Sequence, residues 1–133
     1  MKQNLNNKEK NMSTVTQYQH IVSDGKPRKI SYSLNKILDE LKQRIAEKYH
    51  IIEIMLFGSA ARGEDTRDSD IDIFVRLPQV NKTIEEEIFN IAYEIELKHD
   101  LLIDIIILDD TLLKKYNEQI PIYQNIIKEG IAF

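Results

Sequence analysis

Asp70 and Asp72 stand two residues apart in a segment where Ile71, Ile73 and Val75 occupy the alternate positions. On a strand, successive side chains alternate between faces, so the two aspartates share one face and the aliphatic residues take the other. Positions two apart on a strand are separated by about 6.5–7 Å, near enough to converge on one metal site. A third aspartate, Asp104, interrupts the apolar run Leu101 to Leu108. Desolvating an unpaired carboxylate is costly, so an aspartate in the middle of an apolar strand calls for a partner. If the two strands are neighbours, all three acids meet, and their mutual repulsion is relieved by a divalent cation. Hard oxygen ligands of this kind suit magnesium, so Asp70, Asp72 and Asp104 are the candidate catalytic and metal-ligating residues.

Gly58 and Ser59 form the second constellation. They break an apolar segment and precede a short polar one, as at a strand-to-helix turn. Glycine admits close approach of the backbone to a ligand, and the N–H groups at a helix start, with the Ser59 hydroxyl, suit a phosphate. A phosphate cradle beside a magnesium carboxylate cluster can position a nucleoside triphosphate. Gly58 and Gly63 have the Gly-x4-Gly spacing of a P-loop, but Glu64 and Asp65 follow where that motif needs lysine and a hydroxyl. Arg62 is the candidate for a further phosphate contact, and pairing with Glu64 or Asp65 is its competing role.

The elements that must position these residues are legible in the pattern. Leu34, Ile37, Leu38, Leu41 and Ile45 recur at helical spacing, with Ser33 as the expected cap and an end near Tyr49. Ile51 to Phe57 reads as a strand, Ala60 to Arg67 as one helical turn and a loop, and Asp70 to Val75 as a second strand ended by Pro78. Thr83 and Glu86 form a capping box for a helix whose stripe is Ile84, Ile88, Ile91, Ala92 and Ile95. Leu101 to Leu108, apolar except for Asp104, reads as a strand buried on both faces in the middle of a sheet. A short helical piece with Leu112 and Leu113 follows, then a last helix from Pro121 to Gly130. Helices alternating with three strands predict a small α/β domain, a short sheet with helices packed against it.

Composition narrows the class. The 133 residues support one domain, and the absence of cysteine excludes disulfides, thiolate zinc sites and a cysteine nucleophile. Residues 1–30 carry six basic and two acidic side chains and read as a polar basic tail, while residues 31–133 carry 12 basic and 20 acidic ones, a net charge of −8. An acidic body argues against direct nucleic-acid binding, which needs clustered positive charge. No segment has the apolar length of a membrane span or a secretory leader, so a cytoplasmic location is expected. His20, His50 and His99 lack metal-ligand spacing, and the Glu85-Glu86-Glu87 run suits a solvated helix start. Core or interface packing accounts for most of the six tyrosines.

Taken together, Gly58-Ser59, ten residues, then Asp70-Ile71-Asp72 resembles the spacing of the polymerase-β-like nucleotidyltransferases. The fuller strings Leu56-Phe57-Gly58-Ser59-Ala60-Ala61-Arg62-Gly63 and Ser69-Asp70-Ile71-Asp72-Ile73 resemble the minimal nucleotidyltransferase (MNT) family. Asp104 matches that family's third carboxylate, and Ile126-Ile127-Lys128-Glu129-Gly130 is similar to its C-terminal helix. The resemblance spans about residues 33–133. One departure is Ala60, where the family often has a larger residue such as Arg or Tyr.

The resemblance implies a polymerase-β-like fold with a small mixed sheet, and nucleotidyl transfer with ATP as substrate. It implies two magnesium ions on Asp70 and Asp72, one of them shared with Asp104, and outgoing phosphates bound by Gly58 and Ser59. Members of the family are commonly antitoxins that transfer AMP to a tyrosine of a HEPN-family ribonuclease toxin, so a hetero-oligomer with such a partner is implied. Two alternatives stay open: an antitoxin acting by binding alone, and a small-molecule nucleotidyltransferase of the aminoglycoside type.

Overall fold

The computed structural model describes residues 17–21, 27–65 and 68–133. Two strands, β1 (Gln17–Ile21) and β2 (Pro27–Ser31), pair antiparallel as a hairpin. They fall in the half of the polar segment that holds the strand formers Tyr18, Ile21 and Ile30, whereas residues 1–16 lie outside the described ones. Helix α1 (Tyr32–Ala46) follows at once. Its cap is Ser31, not Ser33: the Ser31 hydroxyl oxygen accepts from the Leu34 N–H at 3.1 Å.

The main sheet has four strands in the order β5-β4-β3-β6. Strand β3 (Glu53–Phe57) runs antiparallel to β4 (Ile71–Leu77) and to the short β6 (Ile131–Ala132). Between β3 and β4 lies α2 (Gly58–Arg62). Helix α3 (Lys82–His99) carries the chain from β4 to β5 (Ile103–Asp109), which therefore pairs parallel to β4. The α3 cap is Asn81, whose Oδ1 accepts from the Ile84 N–H at 2.9 Å, so the Thr83–Glu86 capping box is not formed. Two short helices, α4 (Asp110–Lys115) and α5 (Pro121–Glu129), complete the chain before β6. Pro121 opens α5 as its sequence position predicts.

Strand alternation divides the core into two layers. Ile54, Leu56, Ile71, Ile73, Val75 and Leu77 meet the buried stripes of α1 and α3. Met55 and Phe74 point the other way, onto Leu113 of α4 and Tyr123 and Ile126 of α5. β5 is covered on both faces but ends the sheet instead of lying in its middle, and its apolar residues are only half-buried for that reason. The aliphatic run reports two covered faces; it says nothing about neighbours in the plane of the sheet. Among the described residues, no helix is long and apolar enough to cross a membrane.

Candidate active site

The parallel register of β4 and β5 sets Asp72 opposite Asp104. The antiparallel register with β3 sets Asp72 opposite Phe57, the residue before the Gly58 turn. Asp72 thus lies between an acid on one side and the glycine turn on the other. Asp70, just ahead of β4, is exposed, Asp72 is half-buried and Asp104 is exposed. Asp104 is therefore not desolvated, despite its apolar run; strand register, not burial, brings it to Asp72.

Gly58 is required by this arrangement. Its φ is +68°, and a Cβ there would stand 2.0 Å from the Asp72 Oδ2. The carboxylate occupies the space that a side chain would fill, so the strand and the turn meet with no spacer. Ala60 and Ala61 of α2 are buried in the layer beneath α1 and α3 and pin the turn from below. At the C-terminal end of α5, Gly130 makes a similar close approach: a Cβ there would lie 2.6 Å from the Ile126 carbonyl oxygen and 3.1 Å from that of Leu56. The last turn of α5 is thereby held against β3 just before the site.

Electrostatics tie the three acids together. Burial first, then the charges of Asp104 and Asp70, push the Asp72 carboxyl above the usual carboxylate range, while Arg62 opposes the shift. The donor set fits a hard divalent cation, which would relieve a repulsion that, among the described residues, Arg62 only partly offsets. Among the described residues, no group of three or more His, Cys, Asp or Glu side chains is placed to hold a metal ion as it stands; Asp70 and Asp104 are near enough for their charges to be felt at Asp72. Arg62 stands near enough for its charge to be felt at Asp72. Its Nε donates to Glu64 Oε2 at 3.0 Å and its Nη1 to Glu129 Oε2 at 3.4 Å.

A buried cluster that the apolar sequence pattern does not announce lies farther along β4. Arg76, only 5% exposed, lies on the same face of β4 as Asp72, four residues on. Its guanidinium donates to Glu53 Oε1 at 2.9 Å, Asp110 Oδ1 at 2.7 Å, Glu118 Oε2 at 2.6 Å and the Tyr123 hydroxyl oxygen at 3.0 Å. The Tyr123 hydroxyl in turn donates to Glu53 Oε1 at 2.7 Å. The signal was available: a lone arginine in an apolar strand, at even spacing from Asp72, has to find carboxylates. This cluster fastens α4 and α5 to the end of the sheet away from the acids. A cavity of about 330 Å³ at that same end is lined by Lys42, His50, Glu53 and Phe133 and contains none of the predicted site residues. His99 Nε2 lies 3.2 Å from Glu40 Oε1, bridging α3 and α1, and the side chain of His20 is outside the described residues.

Comparison with known proteins agrees with this geometry. The family described as the nucleotidyltransferase domain matches residues 34–132. A Methanocaldococcus jannaschii protein, provisionally named a protein adenylyltransferase, is 37% identical over 73 residues, covering 55% of this chain and 73% of its own. The protein adenylyltransferase MntA of Thermococcus cleftensis is 40% identical over 57 residues, covering 41% of this chain and 58% of its own. A solved structure provisionally assigned as a minimal nucleotidyltransferase superposes with a TM-score of 0.56 at 19% identity, over 76% of this chain and 93% of that one. With residues 34–132 matched, the chain belongs to the nucleotidyltransferase domain family and is a nucleotidyltransferase.

Proposed function

We propose that this nucleotidyltransferase is a magnesium-dependent protein adenylyltransferase that moves AMP from ATP to a tyrosine of a HEPN-family ribonuclease toxin and so acts as its antitoxin in the cytoplasm. The observation that carries the reading is Asp72, set in register opposite Asp104 and pressed against Gly58. That juxtaposition sets an acid pair beside a glycine turn, an arrangement that suits transfer at an α-phosphorus. The relatives named protein adenylyltransferases support a protein acceptor. The acidic body suits a basic, RNA-cutting partner in a hetero-oligomer.

In this reading Gly58 and Ser59 bind the outgoing phosphates through backbone N–H groups and the hydroxyl. Arg62 exchanges a carboxylate for a phosphate oxygen. Asp104, exposed at the rim, takes the proton of the acceptor hydroxyl. The acceptor oxygen bonds to the α-phosphorus, the bond from that phosphorus to the bridging oxygen breaks, and pyrophosphate leaves. Two magnesium ions, held by Asp70 and Asp72 with one shared by Asp104, would supply charge neutralisation for the triphosphate and a more acidic acceptor hydroxyl.

The test is incubation with labelled ATP, magnesium and a HEPN-type protein encoded beside this chain. Label on a tyrosine of that protein, lost with Asp70→Asn plus Asp72→Asn, is the expected result. A double variant that silences the partner as well as wild type would overturn it in favour of inhibition by binding alone.

A further inference from the structure

The two edges of the sheet are not treated alike. The β6 edge has β1 of the hairpin packed beside it. At the other edge, among the described residues, no strand pairs with β5. The Ile71 N–H bonds the Leu102 carbonyl, so positions 102, 104, 106 and 108 turn their backbone groups to β4, and 103, 105 and 107 turn theirs outward. The outward Ile103 N–H is capped by Glu96 Oε2 at 2.8 Å. Ile105 and Ile107 keep their outward groups in the middle of an apolar strand, the usual invitation to edge pairing.

Helix α3 has an apolar side facing the same way. Phe89, Tyr93 and Leu97, spaced four apart, are 46%, 58% and 67% exposed. Phe89, Tyr93 and Glu96 follow the i, i+4, i+7 pattern of one helix face, and Glu96 identifies that face as the one over the β5 edge. Arg44–Glu94 and Tyr49–Glu87 contacts occupy the side turned to α1.

We propose that the β5 edge and the Phe89 face of α3 join two copies of this chain across a two-fold axis through Ile106. The centre of β5, Ile105-Ile106-Ile107, reads the same in both directions. In an antiparallel β5–β5 pair each Ile105 stands opposite Ile107 of the second copy, and each such pair exchanges two backbone hydrogen bonds. Three residues of strand from Ile103 to Ile106 advance about 10 Å, or roughly seven residues back along α3 from Glu96. The axis thus passes close to Phe89, which meets its own copy there. The same symmetry brings Lys82 to Glu96 of the second copy, an opposite-charge pair at each end that counters the repulsion of two acidic bodies. On the other sheet face, exposed Leu102 and Leu112, at opposite ends of β5, come together across the axis.

The test is sedimentation equilibrium of the full chain with two variants. Wild type is expected at about twice 15.6 kDa. Phe89→Glu, on an exposed position, is expected to keep its melting temperature and raise the dimer dissociation constant about 100-fold. Phe89→Cys, in a chain with no other cysteine, is expected to oxidise to a covalent dimer. A wild-type monomer at all concentrations, or a Phe89→Glu protein that stays dimeric, overturns the proposal; a monomer would leave this face to a different protein. Neither result bears on nucleotidyl transfer, which is assayed separately.

Discussion

Replacing Asp72 by asparagine should make the protein more stable and far less active. In the fold, Asp72 is half-buried, next to Asp104 on the adjacent strand and two residues from Asp70. Adjacent strands lie about 4.8 Å apart. Two unit charges at that separation repel by about 0.9 kcal/mol in water and about 3.5 kcal/mol at an effective dielectric of 20. Asp104 is exposed, so screening holds the pair near the lower figure. Asparagine keeps the shape and removes the charge, giving a stabilisation of about 1 kcal/mol, or roughly 3–4 °C in melting temperature for a chain of this size. The pH dependence has a fixed sign. Burial and the two neighbouring acids raise the folded pKa of Asp72 above its unfolded value. Ionisation therefore disfavours the fold: the penalty is absent below the unfolded pKa and complete above the folded one. Wild type loses stability as pH rises through that window, and Asp72→Asn lacks this slope.

The assay is a set of thermal melts across pH in EDTA, repeated with magnesium, beside label transfer from ATP. Magnesium is expected to stabilise wild type and not the variant, because a cation held by the acids binds only the folded state. Transfer should fall by about 10²–10³-fold, the usual loss when one electrostatic stabiliser is removed. A variant less stable than wild type in EDTA would refute the reasoning about repulsion. A variant that transfers at the wild-type rate would refute the role of Asp72.

Other changes have equally definite outcomes. Gly58→Ala should destabilise by about 2–3 kcal/mol in urea melts, since its methyl meets the Asp72 carboxylate at a left-handed φ. Pairing it with Asp72→Ala should recover much of the stability and none of the transfer. Arg76→Leu should cost about 3–5 kcal/mol in the same melts, because Glu53 and Glu118 are left around a site without its cation. Asn81→Ala should cost about 1 kcal/mol through loss of the α3 cap, whereas Thr83→Ala should change little, and the pair of melts separates the two capping assignments.

The residues that speak through period and spacing were the ones read well. The alternation Asp70-Ile71-Asp72-Ile73 fixed which way each side chain of β4 points, and the 3.6-residue stripe of α3 fixed its buried side. The caps of α1 and α3 were misplaced because several residues near each helix start can cap, and local chemistry alone does not choose among Ser31 and Ser33 or Asn81 and Thr83. Two further features depend on contacts distant in sequence. The edge position of β5 is settled by which strand finds β4, and the Arg76 cluster by residues 23 to 47 positions away. Gly58 was read as room for a ligand; its nearest neighbour is the protein's own Asp72.

One face of β4 carries two opposite solutions to the same electrostatic problem. At Arg76 several carboxylates surround one guanidinium, and the cluster is buried and closed by Tyr123, whose hydroxyl is pushed to higher pKa by burial and by Glu53. At Asp72, among the described residues, the charges of three carboxylates are opposed by Arg62, whose guanidinium is already held by Glu64 and Glu129. A protein cation placed among the three acids would remove the repulsion and with it the reason the proposed reaction gives them to take up a metal. The fold keeps its firm ion pairs at the far end, where they attach α4 and α5, and leaves the mouth under-neutralised. Exchanging the two would stabilise the site and abolish its chemistry, which is why Asp72→Asn is expected to raise stability and lower transfer together.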